Sequence, residues 1–210
     1  KSFWSNGDRV TAYDFEYAWK AVLDPNAESA YAYQLYVIKN AKNAKTGIVP
    51  VDEVGVRALN ATTLHVTLNH PTPYFLELIS FTTYYPVHKN TAEANESWAD
   101  KAGEAFVCNG PFTLTEWKHN NEITVTKNEK YWNKDSVNLN TIRLVMISDE
   151  MTELNMFERE ELDWAGRPMS RLPAAAIPTL KRQGILRFKP VAGIEWYKFN
   201  TGRFPFNNLK

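Results

Sequence analysis

The sequence predicts a mixed α/β (α+β) fold, and three observations carry that expectation. Residues 12–23 repeat apolar side chains at helical spacing behind a capping signal, and residues 112–127 alternate about a polar turn as paired strands do. Helical and extended segments then interleave along all 210 residues, without internal repeats or low-complexity tracts.

The first helix is announced by Thr11, followed three residues later by Asp14, a spacing in which each side chain can satisfy an orphan amide of the first turn. Val10 and Phe15 stand where a hydrophobic staple would place them. Phe15, Ala18, Trp19 and Val22 then form one apolar stripe until Asp24-Pro25 ends the helix. The stretch "YAYQLYVIKNAKNAKTG" predicts a second helix stopped at Gly47, after a lysine-rich last turn. Val56, Ala58, Leu64, Val66 and Leu68 alternate around Asn60 and predict a β-hairpin. "YFLELIS" reads as a short apolar helix, and "TTYYPVHKN" as an extended connector, because Pro86 moves Tyr85 away from helical geometry. A boundary is expected there, near His88.

The second half restarts with a short polar helix in "KNTAEANESWADKAG". Phe112, Leu114 and Glu116 alternate against Thr113, Thr115 and Trp117, "KHNN" turns the chain, and "EITVTKN" returns it. "TIRLVMI" is a nearly continuous apolar run and predicts a central strand. A helix is expected over "DEMTELNMFERE", a short extended piece at "LDWAG", and a helix over "AIPTLKRQG", interrupted at Pro178 and ended at Gly184. "ILRFKP" and "IEWYKFN" predict two further strands.

Composition excludes several classes. A 44% hydrophobic, 13% aromatic chain can pack a core, and 24 basic against 24 acidic residues give no general attraction for nucleic acid or anionic lipid. No apolar run approaches the roughly 18 to 20 residues of a membrane span. Cys108 is the one cysteine, so no internal disulfide forms, and beside Phe106 and Val107 it reads as a small buried hydrophobe. None of the 9 glycines makes a G-x-G pair, and neither a G-x-S-x-G elbow nor an H-E-x-x-H helix occurs. His65, His70, His88 and His119 lack metal-ligand spacing, so no metal and no cofactor is expected. Glu158, Glu160, Glu161 and Asp163 could pair carboxylates for glycoside chemistry, or form a solvated helix end flanked by Arg159. The sequons at Asn60 and Asn95 matter only in a source that glycosylates secreted proteins.

The aromatic supply is large: 7 Trp, 10 Tyr and 11 Phe. Phe15, Trp19, Phe112 and Phe157 belong to a core by periodicity. Tyr31 and Tyr33, Trp164, and the adjacent Trp196-Tyr197 instead sit at element ends. In such places aromatics either line pockets that grip extended chains or sugars, or complete a core.

The succession "WSNGDRVTAYDFEYAWKAVLDP", "LNHPTPYFLELIS", "NGPFTLTEWKHNNEITVTKNEKYW" and "FNTGRFPFNN" resembles, in order and from end to end, the oligopeptide-binding proteins of bacterial ABC peptide importers. "WYKFNTGRFPFNN" is more similar to their Gram-positive branch. The resemblance implies a lobe of the class II periplasmic-binding-protein type plus a small accessory domain, both incomplete. Residues 1–88 would be accessory domain, 89–192 the main segment of the first ligand-binding lobe, and 193–210 the crossover toward a second lobe. The chain would then lack an export signal, a lipid-modified cysteine, and that second lobe.

The family binds and delivers and does not catalyse, so the resemblance implies no enzyme. It implies an oligopeptide ligand, the permease subunits of an ABC importer as partners, no nucleic acid, membrane association only through a lipid anchor, and an extracytoplasmic location, at the cell surface or in the periplasm. Peptide would bind as an added strand with its side chains in hydrated pockets, under two lobes that close by hinge bending. By position Tyr31 matches a peptide-contacting tyrosine of the accessory domain and Trp196 an aromatic near the hinge. Trp164, Gly166 and Arg167 complete the expected ligand-binding set. Gly166, Arg167 and Pro168 stand where well-known members have a Tyr-Asn-Asn contact loop, and Gly193 where they have a disulfide cysteine. Arg167 is thereby a candidate for a carboxylate contact those members lack. Rival ligands within the fold are dipeptides, nickel complexes, signalling peptides and oligosaccharides; outside it stands a carbohydrate-active enzyme built on the acidic cluster.

Overall fold

A computed structural model describes residues 1–191 and 193–208. The chain divides into two units, Lys1–Met146 and Ile147–Lys210. Helix α1 (Ala12–Leu23) begins at the expected cap, where the Asp14 carboxylate takes the Thr11 amide at 2.8 Å. Its inner face puts Ala18, Trp19 and Leu23 into the core.

The single helix expected next is two pieces, a 3₁₀ turn at Ala32–Val37 and α2 (Ala41–Lys45). Between them Ile38 is extended, and it and Lys39 engage the strand hairpin: Ile38 bridges Leu68, and the Lys39 amide donates to the Thr67 carbonyl at 2.9 Å. Asn40, with φ 62°, then turns the chain into α2. Nonlocal pairing overrides helix periodicity here. The hairpin itself is as expected, β1 (Val56–Asn60) antiparallel to β2 (Thr63–Val66). Gly55 leads into it with its amide on the Lys39 carbonyl at 2.8 Å, and its carbonyl accepts from Thr67 at 2.7 Å. A Cβ at Gly55 would fall 2.6 Å from the Thr67 oxygen, so only glycine permits this approach.

Helix α3 (Phe75–Leu78) is the expected short apolar helix, and the connector after it opens with a 3₁₀ turn at Thr82–Tyr84 before Tyr85 becomes extended. Tyr84 closes the core. The Trp19 indole donates to its carbonyl at 2.8 Å, its hydroxyl donates to the Gln34 carbonyl at 2.6 Å, and the two rings meet edge to face at 5.1 Å. Helix α4 (Lys89–Ala94) is capped by the buried ring of His88 and is shorter than the polar stretch suggested.

Strands β3 (Phe112–Lys118), β4 (Glu122–Lys127) and β5 (Thr141–Val145) form an antiparallel sheet in that order. Two corrections arise here. The apolar run in β5 is an edge of this sheet, and β4 is its middle strand. A bulge between Leu114 and Glu116 also adds a residue, which reverses the alternation and returns Trp117 to the half-buried state of Phe112 and Leu114 while Glu116 is exposed. The "NG-P" turn is held by Asn128, whose side chain donates to the Gly110 carbonyl at 2.8 Å and whose amide donates to Pro111 at 2.9 Å.

In the second unit, α5 (Glu150–Glu158) starts at Asp149, which accepts the Thr152 amide at 2.7 Å. Helix α6 (Ile177–Arg182) carries Pro178 in its first turn, where a missing amide costs nothing, so the proline opens this helix and does not interrupt it. "LDWAG" forms no strand, and neither do "ILRFKP" and "IEWYKFN". Their alternation is real, but among the described residues no strand lies beside them to take their hydrogen bonds. Ala192, which closes the expected lobe segment, and residues 209–210 of the expected crossover lie outside the described residues.

Burial pushes the Tyr84 phenol up to about 12. The unfolded chain loses this proton near pH 10 and the folded chain keeps it, so stability falls as pH rises between those values. Urea titrations across alkaline pH should show this loss, on the order of 2 kcal/mol, and Tyr84→Phe should flatten it. An unchanged alkaline slope in Tyr84→Phe would remove the phenol from the account.

Candidate functional site

The expected site residues fall into three places. In the first unit, Tyr31 precedes the Ala32–Val37 turn and is 51% exposed. Its ring meets Phe81 edge to face at 5.3 Å and lies 6.2 Å from Tyr33, which is also exposed. Phe81 packs against the buried cluster around Trp19 and Tyr84, so the exposed tyrosines stand on a rigid base.

In the second unit, Trp164, Gly166 and Arg167 come together in one turn. The Trp164 indole donates to the carbonyls of Gly166 at 3.2 Å and Arg167 at 3.1 Å, while the ring stays 58% exposed. The Gly166 amide donates to Ser170 Oγ at 2.8 Å and to Glu153 Oε1 at 3.2 Å. Ser170 donates its hydroxyl to the same carboxylate oxygen, and the amides of Met169 and Ser170 return to the Gly166 carbonyl. Glu153, on α5, is buried, so this carboxylate spends its charge organising the turn. Gly166 has φ +94°, and a Cβ there would sit 3.0 Å from Leu172 Cγ. Sequence reading missed Glu153 and Ser170, whose spacing matches no motif.

The turn borders an open surface depression of about 320 Å³ whose polar wall is Ser148, Glu150, Glu153, Arg167, Ser170 and Arg171. Arg167 and Arg171 are exposed, and among the described residues the arginines held in ion pairs are Arg143 and Arg159. Trp196 stands apart on the unpaired segment, 74% exposed, with the Lys198 ammonium 5.6 Å from its ring centre.

Other candidates resolve into structure. A larger depression of about 550 Å³ along α1 is lined by Glu16, Lys20, Asp24, Asp52 and Lys89, and its Lys20 is already committed, meeting Glu16 at 2.8 Å and Asp52 at 3.1 Å. Burial pushes the Glu16 carboxyl up, yet Lys20 and the Ala58 amide outweigh it and hold the group below its ordinary range. Cys108 is half-buried, its thiol donates to the Phe112 carbonyl at 3.4 Å, and burial pushes the thiol up against the hydrogen bonds from Gly110 and Ser5. It is a poor nucleophile. Glu158, Glu160, Glu161 and Asp163 are all exposed, as a solvated helix end is. Among the described residues no group of three or more His, Cys, Asp or Glu is placed to hold a metal, and no helix is long and apolar enough to cross a membrane.

The mixed α/β scaffold thus presents exposed aromatic faces and a hydrogen-bonded polar turn, and comparison with known proteins gives its class. Residues 1–210 match the family described as bacterial extracellular solute-binding proteins, family 5 Middle, and the chain belongs to that family. It is 55% identical over 98% of its length to the oligopeptide-binding protein OppA of Bacillus subtilis, and 40% identical over 98% to the dipeptide-binding protein DppE of the same organism. It spans 38% and 37% of those two proteins. Among solved structures, Listeria monocytogenes OppA bound to peptide matches 77% of this chain and 32% of its own, with TM-score 0.72 and 37% identity.

Replacing Gly166 by Ala should lower stability by about 1–3 kcal/mol, since it combines a left-handed backbone with the Leu172 contact, whereas exposed Arg167→Ala should change it by less than about 0.5 kcal/mol. Urea unfolding measures both. Equal effects would show that the turn does not depend on its glycine.

Proposed function

We propose that these residues serve in a binding component of an ABC importer that captures oligopeptides outside the cytoplasmic membrane and delivers them to the permease subunits. The component binds its cargo without transforming it. The 55% identity across 98% of this chain to a protein named for oligopeptide binding carries the reading. The exposed Tyr31 and Trp164, each anchored at its base, support it, because aromatic faces pack on peptide backbone with little regard for sequence.

On this reading Tyr31, Trp164, Gly166, Arg167 and Trp196 contact the ligand. Residues 1–88 act as accessory domain, 89–192 as the main segment of the first ligand-binding lobe, and those from 193 as a crossover to a second lobe. A lipid anchor outside these residues ties the protein to the membrane. The 40% identity to a dipeptide-binding relative favours a second reading, in which the ligand is a dipeptide.

Mass spectrometry of what the full-length protein retains from a mixed peptide pool tests this directly. Peptides longer than dipeptides are expected; dipeptides alone would favour the second reading, and retention of no peptide would refute both. Tyr31→Ala and Trp196→Ala should each weaken calorimetric affinity by about 1–3 kcal/mol. If Trp196→Ala instead lowers the melting temperature with affinity intact, that tryptophan only packs.

A further inference from the structure

We infer that the cavity beside the Gly166 turn is a carboxylate subsite, in which Arg167 and Arg171 receive an acidic group of the peptide; this rests on, and narrows, the oligopeptide reading. This depression of about 320 Å³ is open to solvent and has room for one side chain or chain end with water.

Its charge is the first argument. Two guanidiniums and two carboxylates line it, but the carboxylates are not equivalent. Glu153 is buried and already accepts the Gly166 amide and the Ser170 hydroxyl. Its charge therefore faces donors of its own turn. Glu150 is exposed in the first turn of α5, where the helix dipole favours a negative charge. Among the described residues no carboxylate lies within ion-pair distance of Arg167 or Arg171. A guanidinium presents a planar fork matched to a carboxylate, and two arginines lining one depression make such a group a fitting guest.

Pre-organisation is the second argument. Binding through long side chains costs order, and that cost falls when the backbone carrying them is fixed. The Arg167 backbone is fixed from three directions: its own carbonyl accepts from Trp164, while the preceding Gly166 is held by Glu153 and Ser170. Arg171 follows Ser170, whose hydroxyl and amide are both engaged in the same turn. The polar wall also offers Ser148 for the remaining carboxylate lone pairs.

A carboxylate can come from an Asp or Glu side chain or from the peptide's C-terminus. Calorimetry on the full-length protein separates the two with alanine-based peptides carrying Glu or Lys at each position in turn, each made with a free and an amidated C-terminus. If the side chain is the guest, a Glu peptide should bind about tenfold more tightly than its Lys counterpart at one position, regardless of amidation. If the terminus is the guest, amidation alone should cost about tenfold. In either case Arg167→Gln with Arg171→Gln should abolish the discrimination, and Arg167→Lys with Arg171→Lys should restore part of it. Peptide binding that ignores both Glu and the free terminus, or discrimination that survives in the double Gln variant, would overturn the subsite and leave the oligopeptide reading standing. Failure of every peptide to bind the wild-type protein would overturn both.

Discussion

Asp14 lies buried under the first turn of α1, and its two oxygens gather donors from three separated stretches of chain. The Thr11 amide arrives at 2.8 Å, the Thr11 hydroxyl at 2.9 Å, the Trp4 indole at 3.3 Å and, from 75 residues away, the Lys89 amide at 3.1 Å. A buried carboxylate left short of partners is costly, so each donor constrains the segment that supplies it. The start of the chain, the start of α1 and the start of α4 are thereby pinned to one another. His88 extends the junction, because its Nδ1 accepts the Thr91 amide and its Nε2 lies 3.0 Å from Asp8. With α1 so placed, Trp19 reaches Tyr84, Tyr84 reaches Gln34, and the aromatic base beneath Tyr31 follows.

The second unit repeats this device on a smaller scale. Glu153 is to the Gly166 turn what Asp14 is to the α1 junction: a buried acid on a helix that takes backbone amides and hydroxyls in place of a cation. Both acids are therefore structural. Beside the Gly166 turn this leaves Glu150 as the exposed carboxylate next to Arg167 and Arg171.

Elements whose signals are local were legible in the sequence. The Thr11–Asp14 cap, the Asn60 hairpin and the β3–β4 pair each rest on contacts within about fifteen residues, and each forms where its local signals put it, with the bulge after Leu114 as the departure from simple alternation. Elements that depend on distant partners were not. Ile38 and Lys39 leave a helical pattern because Leu68 and Thr67 offer strand bonds, and the alternating residues near Trp196 stay out of any strand for want of a neighbour among the described residues. The site divides the same way. Tyr31 and Trp164 stood out as aromatics at element ends, but Gly166 and Arg167 entered only through family resemblance. Glu153, Ser170 and Arg171 carried no signal, since their roles come from a turn that folds back 13 to 17 residues onto α5.

The construction of that turn bears on how a binding protein of this family can change its preference without losing its fold. At Arg167 the backbone carbonyl is held by Trp164, and the neighbouring glycine is held by Glu153 and Ser170, whereas the guanidinium itself forms no ion pair among the described residues. The side chain is thus decoupled from the bonds that fix its position. On the proposed carboxylate reading, a substitution there would alter what the site attracts and spare the scaffold, while a substitution at Gly166 meets both Leu172 and an unfavourable backbone. Of these two adjacent residues, Gly166 carries the structural constraint, and on the proposed reading Arg167 carries the chemistry that a ligand would meet.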